Sequence, residues 1–539
     1  MNLAQLHEAI AAAIPERECI VFRDRRHSWA TTTDRSRRLA DVLRRHGLGC
    51  RRERAGLRGF ESGQDHVALY LYNGNEYLEG MLGAFKARAA PFNVNYRYVD
   101  EELAYLFDNA DARAVIYHAS FAPTLARVRT SLSKVALWLQ VDDGSGEPLL
   151  PGALDYEEAL AEAQPREPVG LSPDDLYLLY TGGTTGMPKG VLWRQEDIFH
   201  AALNPHGARD VAAVVERARQ GGPRALPAPP FMHGAAHWAA FTLWHVGGTV
   251  IVQSEPRRLD PADLWSTVER ERVNALTIVG DAFGRPLLDE LARAHYDVRS
   301  LRRLTTGGAT LSAGTKREFL ERIPGLRILD ALGSSESGAQ ASKLSTQAAD
   351  ATTGDFDPSP DNTVLREDLS GEVAKGSEEP GWLARRGHVP LGYYKDPEKT
   401  ARTFPTIAGV RYAVPGDRAI LQADGRLRLL GRESATINTG GEKVFAEEVE
   451  HALKHHPAVY DAVVVGTPHE RWGQQVTALV RLRSGAAASE DELRREAGAH
   501  VAAYKVPRRV LFVDEVVRSP SGKADYRWAR EAALARLGV

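Results

Sequence analysis

The sequence predicts an α/β protein with a large N-terminal region and a small α+β domain at the C-terminal end. At 539 residues the chain exceeds what one hydrophobic core usually supports, so two or more domains are expected. Up to about residue 430, apolar runs of strand length alternate with segments of helical period, which is typical of βαβ units in largely parallel sheets. Near Gly431 this alternation gives way to a compact mixture of helices and strands.

In the N-terminal region, the apolar run at 67–72 is followed by a helix-period segment at 77–87 and a second strand at 114–117. Further strands are expected at 176–180, 249–252 and 275–279. In the C-terminal region the pattern predicts helices near 446–455 and 490–503 and strands at 462–465 and 510–513. We therefore expect domains at 1–431 and 432–539.

The composition points to small-molecule partners rather than to nucleic acid or membranes. Hydrophobic residues make up 43% and charged residues 26% of the chain, and the formal net charge is -3, which offers no general attraction for nucleic acid. The apolar stretch 237–252 is interrupted by His245, Gly247 and Gly248, so no transmembrane segment is expected. Cys19 and Cys50 alone cannot build a disulfide framework, which suits a reducing, cytoplasmic location.

The most specific motif is YTGGTTGMPKG at 180–190, directly after the predicted strand at 176–180. Glycines allow backbone N–H groups to approach phosphate oxygens closely, threonine hydroxyls can donate, and a lysine adds positive charge. A Walker A loop needs Gly-Lys followed by Ser or Thr, whereas here Pro188 precedes the lysine and Gly190 follows it. The motif predicts a different phosphate loop, made of Thr181, Gly182, Gly183, Thr184, Thr185, Gly186 and Lys189.

This run resembles the phosphate-loop signature of the adenylate-forming superfamily, which includes acyl- and aryl-CoA synthetases, nonribosomal adenylation domains and beetle luciferases. Gly182 stands where the superfamily usually has serine, which removes one hydroxyl contact. The resemblance implies a large N-terminal domain of two α/β subdomains plus a small β-barrel, followed by a small mobile C-terminal domain. It also implies that a carboxylic acid, ATP and Mg²⁺ give an acyl-adenylate, whose acyl group passes to coenzyme A.

Two further segments resemble the nucleotide-binding signatures. In TGGATLS at 306–312, the residues against adenine and the acyl group would be Gly307, Gly308 and Ala309. In LGSSESG at 332–338, Glu336 would hold magnesium, which prefers one or two carboxylates together with phosphate oxygens. The nucleotide contacts implied beside it are Leu332, Gly333, Ser334 and Ser335.

The remaining signatures lie near the expected domain boundary and in the C-terminal domain. Asp417 matches an aspartate that accepts from both ribose hydroxyls, although Pro415 replaces the usual threonine, and Arg432 would contact ribose or phosphate. Ser434 stands at the hinge, where Asp or Lys is usual. The segment INTGGEKV would meet coenzyme A through Gly440, Gly441 and Lys443.

RSPSGKAD at 518–525 resembles the loop that carries the lysine required for adenylation. Lys523 would bridge the substrate carboxylate and the α-phosphate, and so stabilise the charge that develops at phosphorus. His233 matches the position beside the carboxylate in the acyl pocket, whereas His237 is expected in the core or at the pocket rim. The resemblance therefore assigns catalytic roles to Lys523, Glu336 and His233.

The nature of the acid stays open between a steroid side-chain acid, a fatty acid and an aryl acid. The segment around His233 lacks the aspartate that amino-acid-activating domains carry, so an amino acid is disfavoured. Segments 93–99, 105–109, 229–238, 437–449 and 525–528 resemble actinobacterial acyl-CoA synthetases that activate steroid side-chain acids. Two alternatives remain: an acyl-AMP ligase that loads a carrier protein, and a non-catalytic adenylate-binding protein. A homo-oligomer is compatible with the sequence.

Overall fold

The computed structural model describes residues 1–181, 187–347, 354–439, 442–470, 472–519 and 522–538. The helices are α1 (Leu3–Ala13), α2 (Trp29–Arg45), α3 (Asn75–Lys86), α4 (Asp100–Asn109), α5 (Ala122–Val128), α6 (Tyr156–Glu162), α7 (Gln195–Ile198), α8 (Val211–Arg219), α9 (Gly234–Trp244), α10 (Pro261–Arg270), α11 (Gly280–Arg293), α12 (Ala313–Arg322), α13 (Pro397–Thr403), α14 (Ala446–Leu453), α15 (Glu490–His500) and α16 (Tyr526–Leu537). The strands are β1 (Glu18–Phe22), β2 (Arg25–Ser28), β3 (His66–Tyr70), β4 (Ala90–Asn93), β5 (Ala112–His118), β6 (Leu137–Val141), β7 (Leu154–Asp155), β8 (Leu176–Thr181), β9 (Lys189–Arg194), β10 (Arg224–Pro227), β11 (Thr249–Val252), β12 (Ala275–Ile278), β13 (Arg303–Gly307), β14 (Arg327–Ser334), β15 (Gly338–Ser345), β16 (Asp355–Pro358), β17 (Asn362–Leu365), β18 (Gly381–Arg386), β19 (Gly392–Tyr393), β20 (Thr406–Ile407), β21 (Val410–Ala413), β22 (Asp417–Leu421), β23 (Leu427–Arg432), β24 (Thr436–Thr439), β25 (Glu442–Phe445), β26 (Val459–His469), β27 (Gly473–Leu482) and β28 (Arg509–Phe512).

Two parallel sheets form the two α/β subdomains. One has the strand order β4-β3-β5-β6-β7, and all of its pairs are parallel. The other runs β1-β11-β10-β12-β13-β14 in parallel, with β2 added antiparallel at its edge. Helices cover these sheets because the strands are buried and need apolar partners on their faces. The predicted βαβ organisation is thus confirmed.

Close helix packing between the sheets depends on one small residue. All of α3 is buried, and a Cβ added at Gly83 would lie 2.6 Å from the Leu39 side chain of α2. Glycine at this position lets the two helices approach.

Antiparallel strands make up the rest of the N-terminal region. From β14 onward the second sheet continues through β15, β16, β23, β22 and β18, with β17, β20 and β21 alongside. This unit stands where the small β-barrel was expected. A separate sheet, β19-β9-β8, is also antiparallel, so the strand predicted at 176–180 belongs to a hairpin and not to a parallel sheet.

The C-terminal domain is α+β, as predicted. Its sheet has the order β25-β24-β27-β26 with β28 parallel to β27, and α14, α15 and α16 pack against it. The expected boundary between 431 and 432 falls inside β23, whose last residue is Arg432; the boundary itself stays a prediction. Within the described ranges, no helix has the length and apolar character needed to cross a membrane.

Candidate active site

The predicted site residues lie mostly at the ends of strands. Thr181 ends β8 and Lys189 begins β9, so they stand at the two ends of the segment in which the phosphate loop is predicted. Gly307 ends β13, Ser334 ends β14, and Glu336 follows in the turn to β15. In open α/β folds, ligands bind at such carboxyl ends of strands. The predicted residues Gly182, Gly183, Thr184, Thr185, Gly186, Gly440 and Gly441 lie outside the described residues.

Glu336 is held by an aromatic partner that the sequence motifs do not include. The Tyr393 hydroxyl donates to Glu336 Oε1 at 2.9 Å. Burial, together with Glu336 itself, raises the pKa of Tyr393, so this phenol stays a donor. The turn is fixed as well, because Trp193 Nε1 donates to the backbone oxygen of Ser335 at 2.8 Å. Ser334 bonds to Ser337 through their hydroxyls at 2.8 Å.

Lys189 forms an ion pair with Asp396, which caps α13. Lys399, which follows in α13, places its ammonium 4.4 Å from the centre of the Tyr393 ring. Burial and the neighbouring charge of Lys189 lower the pKa of Lys399. Lys189 and Lys399 therefore lie close together at the start of α13, and Lys399 is also influenced by the charge of Glu336, an arrangement that favours polyanions such as phosphate chains.

Asp417 and Arg432 are cross-strand partners. They pair directly in the register of β22 and β23, and Arg432 Nε donates to Asp417 Oδ1 at 3.0 Å. The charge of Asp417 raises the pKa of Arg432 despite its burial. Asp417 keeps carboxylate acceptor capacity beyond this bond.

Lys523 reaches this group from the C-terminal domain. A Cβ added at Gly308 would lie 3.8 Å from Lys523 Cε. Desolvation and the positive charge of Arg432 lower the pKa of Lys523, whereas Glu336, Asp417 and Glu447 act in the opposite direction. The side chain nevertheless keeps solvent exposure. A lysine that is surrounded by protein and still open to solvent lies in a cleft.

Gly307 and Gly308 form the wall of the cleft next to Lys523. A Cβ at Gly307 would lie 2.9 Å from the backbone oxygen of Ala331, and Gly308 has a φ of +80°. Only glycine takes both positions without strain. Ala309 follows, half-buried, at the end of the same turn. Leu332 and Gly333 instead lie within β14, where the Leu332 side chain packs against the small antiparallel core.

The two histidines of the acyl segment have different environments. His233 caps α9, and burial together with the charge of Lys523 lowers its pKa to about 3, so its ring is neutral. Its buried Nε2 has no hydrogen-bond partner among the described residues. His237 is fully buried, Phe231 O lies 2.6 Å from its Nδ1, and Tyr177 bonds to its other nitrogen. The expectation that His237 is a core residue is confirmed.

Two predicted residues lie apart from this cluster in the observed domain orientation. Ser434 is exposed in a short turn, Glu433–Ala435, directly after β23. Lys443 is exposed on β25 and pairs with Glu433 at 3.0 Å and Glu367 at 3.4 Å. The position of Ser434 suits a hinge, and that of Lys443 suits a residue that acts in another orientation of the C-terminal domain. Both roles stay predictions.

Glu447 is a cleft residue that sequence reasoning missed. It lies in the first turn of α14, and its Oε2 would lie 3.4 Å from a Cβ at Gly431. Burial, followed by the charges of Glu450 and Asp417, raises the pKa of Glu447 to about 7. No motif marks it, because a glutamate in the first turn of a helix is common on any surface.

Comparison with known proteins identifies family models and relatives that match this sequence. The sequence model of AMP-binding enzymes matches residues 7–394, and that of the AMP-binding enzyme C-terminal domain matches residues 448–523. The medium-chain acyl-CoA ligase Mig of Mycobacterium avium is 51% identical over 98% of this chain and 97% of its own. The 3-oxocholest-4-en-26-oate–CoA ligase of Rhodococcus rhodochrous is 40% identical over 98% of this chain and 96% of its own.

A solved structure has the same fold. The anthranilate CoA ligase AuaEII in complex with anthranoyl-AMP superposes with a TM-score of 0.84 at 21% identity, over 100% of this chain and 98% of that one.

Proposed function

The chain belongs to the AMP-binding enzyme family and is an AMP-forming acyl-CoA ligase, and we propose that its acid is a medium-chain fatty acid. In the first half-reaction the carboxylate attacks the α-phosphorus of ATP, pyrophosphate leaves, and an acyl-adenylate forms. In the second, the thiol of coenzyme A attacks the acyl carbonyl and AMP leaves. ATP and coenzyme A are thus substrates.

The observation that carries the residue assignment is the position of Lys523 beside Gly308, in one cleft with Glu336, Asp417 and Arg432. A cation at this point offsets the repulsion between the carboxylate and the α-phosphate and stabilises the charge that develops during transfer. Asp417 is suited to accept from the ribose hydroxyls, and Lys189 to pair with the outer phosphates.

Glu336 fits a magnesium ion. Tyr393 occupies Oε1, and among the described residues there is no group of three or more His, Cys, Asp or Glu side chains that could hold a metal by itself. Mg²⁺ typically binds through one or two carboxylates and substrate phosphates. When bound, it would neutralise phosphate charge, while Tyr393 keeps Glu336 oriented towards the cleft.

An apolar acid is supported by a partly exposed stripe of α9 that begins after His233. Its members lie three or four residues apart and carry no charge: Ala235, Trp238, Ala239 and Thr242. Trp238 is fixed by a 2.8 Å hydrogen bond from its Nε1 to the Tyr177 hydroxyl. The neutral ring of His233 at the start of the stripe leaves Lys523 as the cation for the carboxylate.

The chain length is proposed from the relatives. The Mycobacterium avium relative, with the higher identity of the two, is named for medium-chain acids. The Rhodococcus rhodochrous relative is named for a steroid side-chain acid, which makes such an acid the second candidate. We also infer a cytoplasmic location, which the two unpaired cysteines support.

The test is acid-dependent release of pyrophosphate with ATP and Mg²⁺, measured with octanoate, palmitate, benzoate and 3-oxocholest-4-en-26-oate. Octanoate is expected to give the highest kcat/KM, and a higher value for the steroid acid would move the assignment to the second candidate. Free coenzyme A and a phosphopantetheinyl carrier protein are then compared as acceptors of the same acyl-adenylate. Pyrophosphate release with none of the acids would refute the proposal.

A further inference from the structure

We propose that Arg285 and Tyr460 form an interdomain lock that selects the orientation of the C-terminal domain in which the acyl-adenylate is made. In this lock, Arg285 is a positioning residue for the first half-reaction. The inference rests on the two-step reaction proposed above.

Arg285 is a buried arginine of the N-terminal domain that bonds to the C-terminal domain. It lies in α11 and is only 5% exposed. Its Nη1 donates to the backbone oxygen of Val459, the first residue of β26, at 3.1 Å, and its Nη2 lies 3.4 Å from Asp281 Oδ2. A guanidinium removed from water is costly unless it is paired, so this bond across the domains favours the docked state.

Tyr460, the next residue of β26, completes the contact. Its ring centre lies 5.5 Å from the Arg285 guanidinium carbon, and its hydroxyl donates to Asp289 Oδ2 at 3.3 Å. From its own domain, Arg481 lies 4.5 Å from the same ring. Guanidinium groups of both domains thus lie within cation–π distance of the same ring.

The residues that dock on the C-terminal domain share one face of α11. Asp281, Arg285 and Asp289 are spaced by four residues, so they form a single stripe along the helix. A third contact lies at the start of the stripe, where Lys454 of the C-terminal domain is 4.0 Å from Asp281. Burial alone would raise the pKa of Asp281, but Arg285 and Lys454 hold it below its ordinary value.

The lock is joined to the catalytic lysine by a short chain of charged contacts. Asp461 follows Tyr460 and accepts two hydrogen bonds from Arg518, each of 2.7 Å. Arg518 in turn donates to the backbone oxygen of Gly522 at 3.1 Å, directly before Lys523. Because these groups all belong to the C-terminal domain, they move with it as one unit.

On the N-terminal side of the interface, the start of α11 also contacts the segment 306–312, which is predicted to bind the nucleotide. Asp281 accepts from the backbone N–H of Ser312 at 2.9 Å and from its hydroxyl at 3.1 Å, and Ser312 ends the segment that begins with Gly307 and Gly308. A Cβ at Gly522 would lie 3.0 Å from Val279, which caps α11. The start of α11 therefore contacts both the lysine loop and the glycine wall of the cleft.

Such a lock raises the fraction of molecules whose C-terminal domain is in the orientation that makes the acyl-adenylate. If the C-terminal domain rotates at Ser434 for the second half-reaction, the bonds to Arg285 and Asp289 break, whereas the pair Asp461–Arg518 persists. Weakening the α11 contacts should therefore slow adenylation and leave thioester formation intact, because a contact made in one state only shifts the equilibrium towards that state.

The test uses the full chain with Arg285→Gln, Arg285→Lys and Tyr460→Phe. Arg293→Gln is the matched control, since Arg293 lies in the same helix, is 76% exposed and contacts only Glu290 within the described structure. Each half-reaction is measured separately: pyrophosphate release from acid and ATP, and thioester formation from synthetic acyl-adenylate and coenzyme A.

We expect Arg285→Gln to slow pyrophosphate release about tenfold to a hundredfold, which corresponds to one buried charge-assisted hydrogen bond. The loss should fall on kcat rather than on the KM of ATP. Arg285→Lys should recover part of the rate, because lysine keeps the positive charge and can donate, although without the planar fork of a guanidinium. Tyr460→Phe should lose about two- to fivefold, since only a hydrogen bond on the scale of 1 kcal/mol or less is removed. Thioester formation should stay within twofold of wild type in every variant.

Equal losses of both half-reactions in Arg285→Gln would mean that Arg285 only supports folding, and would overturn the inference. Unchanged pyrophosphate release would also overturn it. Absence of acid-dependent pyrophosphate release in the wild type would instead contradict the proposed function, so the two failures are distinguishable.

Discussion

We expect that replacing Lys523 with alanine abolishes the first half-reaction and leaves the second intact. Lys523 lies beside Gly308, and its ammonium is influenced by Arg432 and by the carboxylates of Glu336, Asp417 and Glu447. Lys523→Ala removes the cation that would lie between two anions brought together in the first step. The second step has no such pair of anions.

The expected loss follows from this preorganised position. Removing one positioned electrostatic stabiliser typically costs about 10²–10³ in rate, or about 2.7–4 kcal/mol. The cleft offers a second cation in Arg432, but Asp417 already pairs with it at 3.0 Å. We therefore expect Arg432 to compensate little, and adenylation to fall at least a hundredfold.

The assay compares Lys523→Ala with Lys505→Ala. Lys505 is a lysine of the same domain whose ammonium pairs with Glu448 at 2.7 Å. Pyrophosphate release should collapse in Lys523→Ala only, and thioester formation from synthetic acyl-adenylate should persist in both. A folded Lys523→Ala protein that loses both half-reactions equally would refute the reasoning.

The pH dependence of adenylation is an independent test of the role of Lys523. Desolvation and Arg432 lower the pKa of Lys523, and the protonated form is the one required. kcat/KM for adenylation should therefore decrease as pH rises through a value below the ordinary lysine pKa. This alkaline decrease should be absent from the residual activity of Lys523→Ala.

Three further predictions concern the other walls of the cleft. Asp417→Asn should weaken ATP binding at least tenfold in calorimetry, because charge-assisted hydrogen bonds contribute about 1.5–3 kcal/mol each. Gly308→Leu should slow adenylation of every acid, because φ is +80° and the new side chain would start 3.8 Å from Lys523 Cε. Glu447→Gln should raise Tm relative to wild type progressively between pH 4.5 and about 7, since the pKa of Glu447 rises on burial from 4.5 to about 7. A carboxyl whose pKa is raised in the folded state contributes stability at low pH that is lost as pH rises through the folded value.

Each of these three has a contradicting outcome. Equal ATP affinity in Asp417→Asn and wild type would remove Asp417 from the nucleotide site. For Gly308, the control is Gly314→Leu, where an added Cβ would meet nothing within 4 Å; equal losses in both variants would show a general effect of leucine. A Tm difference for Glu447→Gln that does not vary with pH would contradict the raised pKa of Glu447.

The sequence predicts those parts of the site that depend on local chemistry. Gly307 and Gly308 can be predicted because each position requires glycine: the backbone approaches Ala331 closely at Gly307, and φ is +80° at Gly308. The helix predicted at 490–503 ends at His500 instead, because Ala503–Lys505 forms a turn of its own. The strand predicted at 176–180 is present, but its antiparallel pairing depends on partners that periodicity does not identify.

Side chains whose role depends on a partner far away in the sequence cannot be predicted in this way. Tyr393 holds Glu336 across 57 residues, and nothing in the local pattern around Tyr393 distinguishes it from a core tyrosine. The expected domain boundary illustrates the same limit. A change of pattern near Gly431 predicts a boundary there, whereas β23 extends to Arg432 because that residue pairs with Asp417 in β22.

The docking face of α11 shows why a polar pattern misleads when a second domain covers it. In sequence, Asp281, Arg285 and Asp289 are charged residues at helical spacing, a pattern typical of a solvated helix face. In the structure Asp281 is 4% and Arg285 5% exposed, and both contact the C-terminal domain: Arg285 bonds to β26, and Asp281 lies 4.0 Å from Lys454. Their partners are 174 residues away for Arg285 and 171 for Asp289. Charged groups suit such an interface, because they pair well when docked and stay hydrated when the domain turns away, whereas an apolar face would resist separation.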